Sequence, residues 1–168
     1  MDFIDLARKR YSVRKFKSQP VEEEKVALIL EAARLAPSAK NFQPWHIYVA
    51  RSEEALAKMN AVSPCVYGAP VVFVVCYNKD EMWFSDDRLR DSGYIDATIV
   101  ADHMIMEATD LGLGSCWVLL FDPAKLHEEL DLPDNIVPSV LIPVGYADKG
   151  PALGHEKSRT LDELTTEL

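Results

Sequence analysis

Val71-Val72-Phe73-Val74-Val75-Cys76-Tyr77 is a continuous apolar run, rich in β-branched valine and led in by Ala69-Pro70. A strand with one wet face alternates apolar and polar residues, and this one does not. It predicts a central strand buried on both faces, which needs structure packed above and below it. Working outward, His46-Ile47-Tyr48-Val49-Ala50 predicts a second, shorter strand. Gly114-Ser115-Cys116-Trp117-Val118-Leu119-Leu120 predicts a third. Val137 to Tyr146 predicts a fourth, and Pro138 and Pro143 within it point to an edge or bent strand.

Helical patterns fill the intervals. Asp2 to Lys9 carries apolar residues on roughly one face, with acids early and bases late, as the helix dipole favours. The second helix opens at Val21-Glu22-Glu23-Glu24 and stops near Ala36, since Pro37 disfavours helix at the residue before it. Its expected buried stripe is Val26, Ile29, Leu30, Ala33 and Leu35. Ser52 starts a third, to about Asn60, and Asp122-Pro123 a fifth, to about Leu130. The longest pattern runs from about Arg88 to Leu111 and ends at Gly112. Its residues Ile95, Ile99, Val100, Met104, Ile105 and Ala108 cover much of the circumference, as in a helix central to a core or a subunit interface. Helices outnumber strands without regular βα alternation, and no repeat or linker interrupts the chain. The expectation is a single α+β layer domain over residues 1–168.

The chain is 48% hydrophobic and 27% charged, with a net charge of −9 at pH 7. That balance argues against a general nucleic-acid or membrane-surface binder. No apolar run approaches the roughly 20 residues that span a bilayer, and the acidic N-terminus lacks the order of a signal peptide. Cys65, Cys76 and Cys116 are odd in number and form no CxxC pair, so they read as reduced and buried, in a cytoplasmic protein. His46, His103, His127 and His155 have no second ligand at metal spacing, and no metal site is expected.

Against this acidic background, Arg10-Tyr11-Ser12-Val13-Arg14-Lys15-Phe16 stands out. Two arginines flank a serine at a spacing that puts both on one side of a helix end or of the turn leaving it. The cluster reads either as a charged helix terminus or as a cradle for a phosphate, which the guanidinium fork suits. The loop Ala36 to Trp45 reads as a rigid connector or as a pocket wall, with Ser38, Asn41 and Gln43 supplying neutral donors and acceptors. Gly112-Leu113-Gly114 follows a helix and lacks a third glycine, so a Rossmann nicotinamide site is rejected. Cys116 has apolar neighbours and reads as structural; Glu107 and Asp110 read as a solvated face. Lys157-Ser158-Arg159 reads as a charged tail unless it meets Arg10, and Leu161 and Leu164 behind it could dock on a partner.

Taken together, four segments resemble the nitroreductase family of flavin enzymes. Arg10 to Phe16 is similar to the family's Arg-x-Ser-x-Arg/Lys-x-Phe/Tyr opening. Ala36-Pro37-Ser38-Ala39-Lys40-Asn41-Phe42-Gln43-Pro44-Trp45 resembles its Ala-Pro-Ser-x-x-Asn-x-Gln-Pro-Trp loop. Leu111-Gly112-Leu113-Gly114-Ser115-Cys116-Trp117 is similar to its Gly-Leu-Gly-Thr/Ser-Cys-Trp strand entry, and Pro143-Val144-Gly145-Tyr146 with Lys157-Ser158-Arg159 completes the set. The resemblance implies a nitroreductase-like α+β fold: a central, mostly antiparallel or mixed sheet flanked by helices. It also implies a homodimer with an intertwined interface and FMN bound at each subunit interface. Arg10 and Ser12 would hold the phosphate and ribityl chain, joined by Lys157 and Arg159, with Tyr11 adding backbone contacts and Arg14 at the pyrimidine edge. Pro37, Ser38 and Asn41 of the partner subunit would contact the ring, and Trp117, Val118 and Leu119 would run beside it. No side chain is required as nucleophile or base, because the flavin carries the chemistry. NADH or NADPH would be the reductant and a nitroaromatic, quinone or flavin the acceptor, in ping-pong order. Leu119-Leu120 replaces the small residues common in relatives, and a long inserted segment of larger relatives is missing. These departures keep open a divergent flavin chemistry (dehalogenation or flavin destruction) and a flavin-binding module without turnover.

Overall fold

The run at Val71 is a strand, β2 (Val71–Asn78), and its burial is unbroken from Val71 to Cys76. The computed structural model describes residues 2–152 and 157–168, so His155 lies outside the described residues. β2 pairs antiparallel with β1 (Trp45–Ala50) on one side and with β4 (Ile136–Gly145) on the other. The two-residue β3 (Gly114–Ser115) pairs with the far side of β4, giving the order β1-β2-β4-β3.

Alternation along β2 divides the core into two apolar layers. Val71, Phe73 and Val75, with Val140, Ile142 and Val144 of β4, face α2 (Glu23–Arg34) and α4 (Gly93–Asp110). Ile29 of α2 and Val100 and Met104 of α4 are fully buried there. Val72, Val74 and Cys76, with Leu141, face α3 (Glu53–Val62) and α5 (Pro123–Leu130), which contribute Met59 and Leu126. α1 (Phe3–Lys9) packs on α4, and the short α6 (Leu161–Leu164) lies in the C-terminal tail. The helix starts follow cap chemistry. Asp2 accepts from the Ile4 N–H at 3.1 Å, Ser52 from Ala55 at 3.1 Å, and Asp122 from Ala124 and Lys125.

Four details differ from the sequence expectations, each for a local reason. β4 is not an edge strand; it lies between β2 and β3. The bent alternative holds instead: the register slips beside Pro138, opposite the Val75/Cys76 step. The third strand is shorter than Gly114–Leu120. Cys116 N–H still donates to the Pro143 carbonyl at 3.2 Å, and Val118 and Leu141 exchange both bonds. Pro143 has no N–H to return, so the ladder breaks after Ser115. The long helix begins at Gly93 rather than near Arg88. Arg88 has φ 55°, and the Ser85 hydroxyl and Asp87 carboxylate satisfy the backbone of a tight turn there. Finally, Leu35 is exposed and outside the α2 stripe, while Tyr94 and Ile95 stand exposed at the start of α4.

The N-terminal arm 10–16 docks where β3 has no side chain. A Cβ on Gly114 would sit 2.5 Å from Val13 Cγ2 and 3.1 Å from its Cβ. Valine is stiff at χ1 and cannot swing aside. Gly114→Ala should therefore destabilise the fold by about 1–3 kcal/mol, read as a lower urea midpoint at unchanged slope.

Candidate functional site

The Arg10–Phe16 arm is an extended segment rather than the end of a helix. α1 stops at Lys9, and Arg10 already has extended φ/ψ of −64° and 128°. Ser12 bridges Ser115 in parallel, and the Val13 N–H donates to the Ser115 carbonyl at 2.9 Å. Farther on, the arm joins the chain leaving β4: Lys17 N–H reaches the Tyr146 carbonyl at 2.8 Å, and Lys15 pairs with Asp148 at 2.6 Å. Val13 and Phe16 anchor it in the α3/α5 layer. In extended chain the side-chain period is two, so Arg10, Ser12 and Arg14 point to the same side. The one-sided arrangement thus comes from a strand period, not from a helical one.

Neither Arg10 nor Arg14 makes an ion pair with an acid among the described residues, although six other cations do. In a chain of net charge −9, two arginines left without carboxylates make a local positive face. A small cleft of about 160 Å³ opens beside Arg10, walled by Lys9, Tyr11 and the Gly112–Gly114 turn. Tyr11 is held by its hydroxyl, which donates to the Lys149 carbonyl at 3.1 Å.

Cys116 meets this face, a juxtaposition hidden in the sequence because its neighbours there are all apolar. The residue is 4% exposed. Burial lifts its pKa above the ordinary value, against the opposing pull of Arg14, the Ser12 hydroxyl and Arg10. Half-buried Cys65 and Tyr67 belong to the same neighbourhood; hydrogen bonding to Cys65, with burial, lifts the Tyr67 hydroxyl. Sequence spacing carries no signal for Cys65 or Tyr67, since they come from the turn after α3.

Beyond Cys116, Trp117 is half-buried against the α2/α4 layer and Val118 is buried on the opposite one. Leu119 and Leu120 are exposed, 63% and 66%. The loop Pro37 to Pro44 holds a short turn, Ala39–Asn41, with Lys40, Asn41 and Gln43 all at left-handed φ. Ser38 Oγ accepts from the Gln43 N–H at 2.9 Å, and Ala39 N–H donates to the Asp96 carboxylate at 3.0 Å. Asp96 was not singled out by the sequence, although an acid in the first turn of an apolar helix is a usable signal. The loop therefore sits at the N-terminal end of α4 while Arg10 sits by Gly112, past its C-terminal end. Residues 96 and 109 lie roughly 20 Å apart along the axis.

Lys157 and Arg159 are exposed in the tail. No hydrogen bond or ion pair among the described residues joins them to the arm, and Arg159 donates to the Glu163 carbonyl. Glu107 is not on a fully solvated face. It is half-buried in a cavity of about 520 Å³ between α1, α2 and α4, where burial and the Asp110 charge raise its pKa.

Residues 7–65 and 61–146 match the model of the Nitroreductase family. A solved nitroreductase family protein from Clostridium difficile 630 is 39% identical, with TM-score 0.93 over 99% of this chain and 98% of its own. A Methanothermobacter thermautotrophicus protein, provisionally named NADH dehydrogenase/NAD(P)H nitroreductase, is 31% identical over 158 residues, 90% of this chain and 80% of that protein. A solved FMN-dependent nitroreductase from Clostridium difficile R20291 is 29% identical, with TM-score 0.76 over 95% of this chain and 93% of its own.

The three thiols differ enough to check this geometry in solution. Burial pushes Cys76 up to about 12, so it stays protonated and shielded at pH 8. Cys116 is buried with a raised pKa as well. Titration of the native protein with a disulfide reagent at pH 8 should modify Cys65 first and leave Cys76 and Cys116 intact until denaturant is added. Rapid modification of Cys116 would show that the arm does not cover it.

Proposed function

Because this chain belongs to the nitroreductase family, we propose that it is an FMN-dependent oxidoreductase that takes reducing equivalents from NADH or NADPH. The observation that supports the reading is the pair Arg10 and Arg14, on one side of the arm with Ser12 and without an acid partner among the described residues. A phosphate bearing close to two negative charges fits such donors, and arginine grips it with paired N–H groups. Arg10 and Ser12 hold the phosphate end, with Lys157 and Arg159 joining them and the Tyr11 backbone alongside. Arg14, four residues on, stands where the pyrimidine edge lies, and its charge favours the reduced, more negative state. The backbone of Trp117 and Val118 runs beside the slot, and the exposed Leu119 and Leu120 make its rim apolar. Bound there, FMN supplies hydride and electron transfer at its N5, so no side chain of the chain serves as nucleophile or base.

Reductant and acceptor occupy the same open face in turn, the ping-pong order. The acceptor class is a flat nitroaromatic, quinone or flavin, which an apolar rim accommodates without specific polar partners. The working unit is a homodimer. In one chain the Pro37, Ser38 and Asn41 loop and the arginine arm stand at opposite ends of α4; a second copy brings its loop to the first copy's arm. Phe3, Ile4, Tyr94, Ile95, Leu161 and Leu164 leave exposed apolar surface for such an interface. Among the described residues no helix is long and apolar enough to cross a membrane, and reduced cysteines suit the cytoplasm.

The purified protein should be yellow, sediment at twice the 18.9 kDa chain mass, and bleach anaerobically with NADH or NADPH. A colourless protein that takes up no added FMN refutes the reading. Arg10→Ala and Arg159→Ala should each weaken FMN retention about tenfold, the value of a charge-assisted hydrogen bond. Undiminished retention in both would put the phosphate elsewhere.

A further inference from the structure

Asp96, in the first turn of α4, is a buried acid that the proposed chemistry does not use. It is 1% exposed. Its Oδ1 accepts the Ala39 N–H at 3.0 Å, while its buried Oδ2 meets no hydrogen-bond donor among the described residues. A carboxylate so far from water is costly to keep for a single bond. That bond ties down a strained segment. Lys40, Asn41 and Gln43 hold φ values of 50°, 57° and 52°, a region that side chains other than glycine rarely adopt. The bonds from Gln43 N–H to Ser38 Oγ and from Gln43 Nε2 to Asn41 Oδ1 are internal to the loop. The Asp96 bond fastens the turn to the helical layer.

We propose that Asp96 is a positioning residue for the flavin ring. Through the Ala39 N–H it holds Pro37, Ser38 and Asn41 ready to meet the isoalloxazine, and it contributes nothing to phosphate binding. Pre-organising a loop in its bound shape raises affinity by removing the ordering cost. This inference rests on the FMN reading above.

The test uses the full chain, stripped of flavin and titrated with FMN and with riboflavin, which lacks the phosphate; quenching of flavin fluorescence reports binding. Asp96→Ala should weaken both flavins by the same factor, about tenfold. Arg10→Ala, in contrast, should weaken FMN and leave riboflavin unchanged. Asp96→Asn keeps an oxygen for the Ala39 N–H and should restore both affinities to within about twofold of the parent, with a melting temperature no lower. Ala39→Pro removes the same donor and places a ring carbon against the Asp96 carboxylate, so it should weaken both flavins at least as much as Asp96→Ala. Riboflavin affinity unchanged in Asp96→Ala or Ala39→Pro, or a loss in Asp96→Asn as large as in Asp96→Ala, overturns the assignment. A parent that binds neither flavin overturns the FMN reading itself.

Discussion

A strand with no polar side chain on either face has only one stable place, the middle of a three-layer structure. Val71 to Cys76 is such a strand, and each of its larger side chains withdrawn from water contributes about 1.5–3 kcal/mol. Both layers are therefore obligatory: α2 and α4 on one face, α3, α5 and the N-terminal arm on the other. The arm is not an accessory to this arrangement. Val13 and Phe16 complete the second layer, and their packing together with the backbone pairing to Ser115 holds the arm in its extended course. Burial of two apolar residues thus orients three polar ones.

The electrostatics follow from the same constraint. Among the described residues six cations of this acidic chain find carboxylates close in sequence or across the surface, as Arg34 does with Glu31 and Lys15 with Asp148. Arg10 and Arg14 project from an extended segment whose neighbours are β3 and the exit from β4, with no described acid in pairing distance. Cys116 feels their charge, yet burial dominates its thiol and keeps it above its ordinary pKa. Positive charge with no carboxylate partner among the described residues is consistent with the phosphate ligand proposed above.

α4 sets the distance between the two halves of the proposed site. Its N-terminal turn holds the strained Pro37–Gln43 loop through Asp96, and its C-terminal end leads through Gly112 to the arm. A rigid 18-residue helix keeps them apart, which is why the dimer proposed above calls on a second copy of the chain to bring loop and arm together. The exposed Tyr94 and Ile95 at the start of the same helix fit that geometry.

Much of this was legible in the residues alone. The unbroken valines of β2, the Asp2, Ser52 and Asp122 caps and the Gly112 stop each act through neighbours one to four positions away, and local physics suffices to read them. The α+β class and the family resemblance follow from those signals and from the four motifs in order. Tertiary structure decided what depends on distant partners. Pro143 ends β3 because a donor is missing one strand away, and the proline-bearing β4 is interior because β3 covers its outer side. The arm is extended because Ser115 pairs with it, Cys116 gains cationic neighbours from a segment a hundred residues earlier, and Asp96 is buried because the Ala39 turn folds over it. Such contacts arise only once the core has closed, and spacing along the chain carries no record of them.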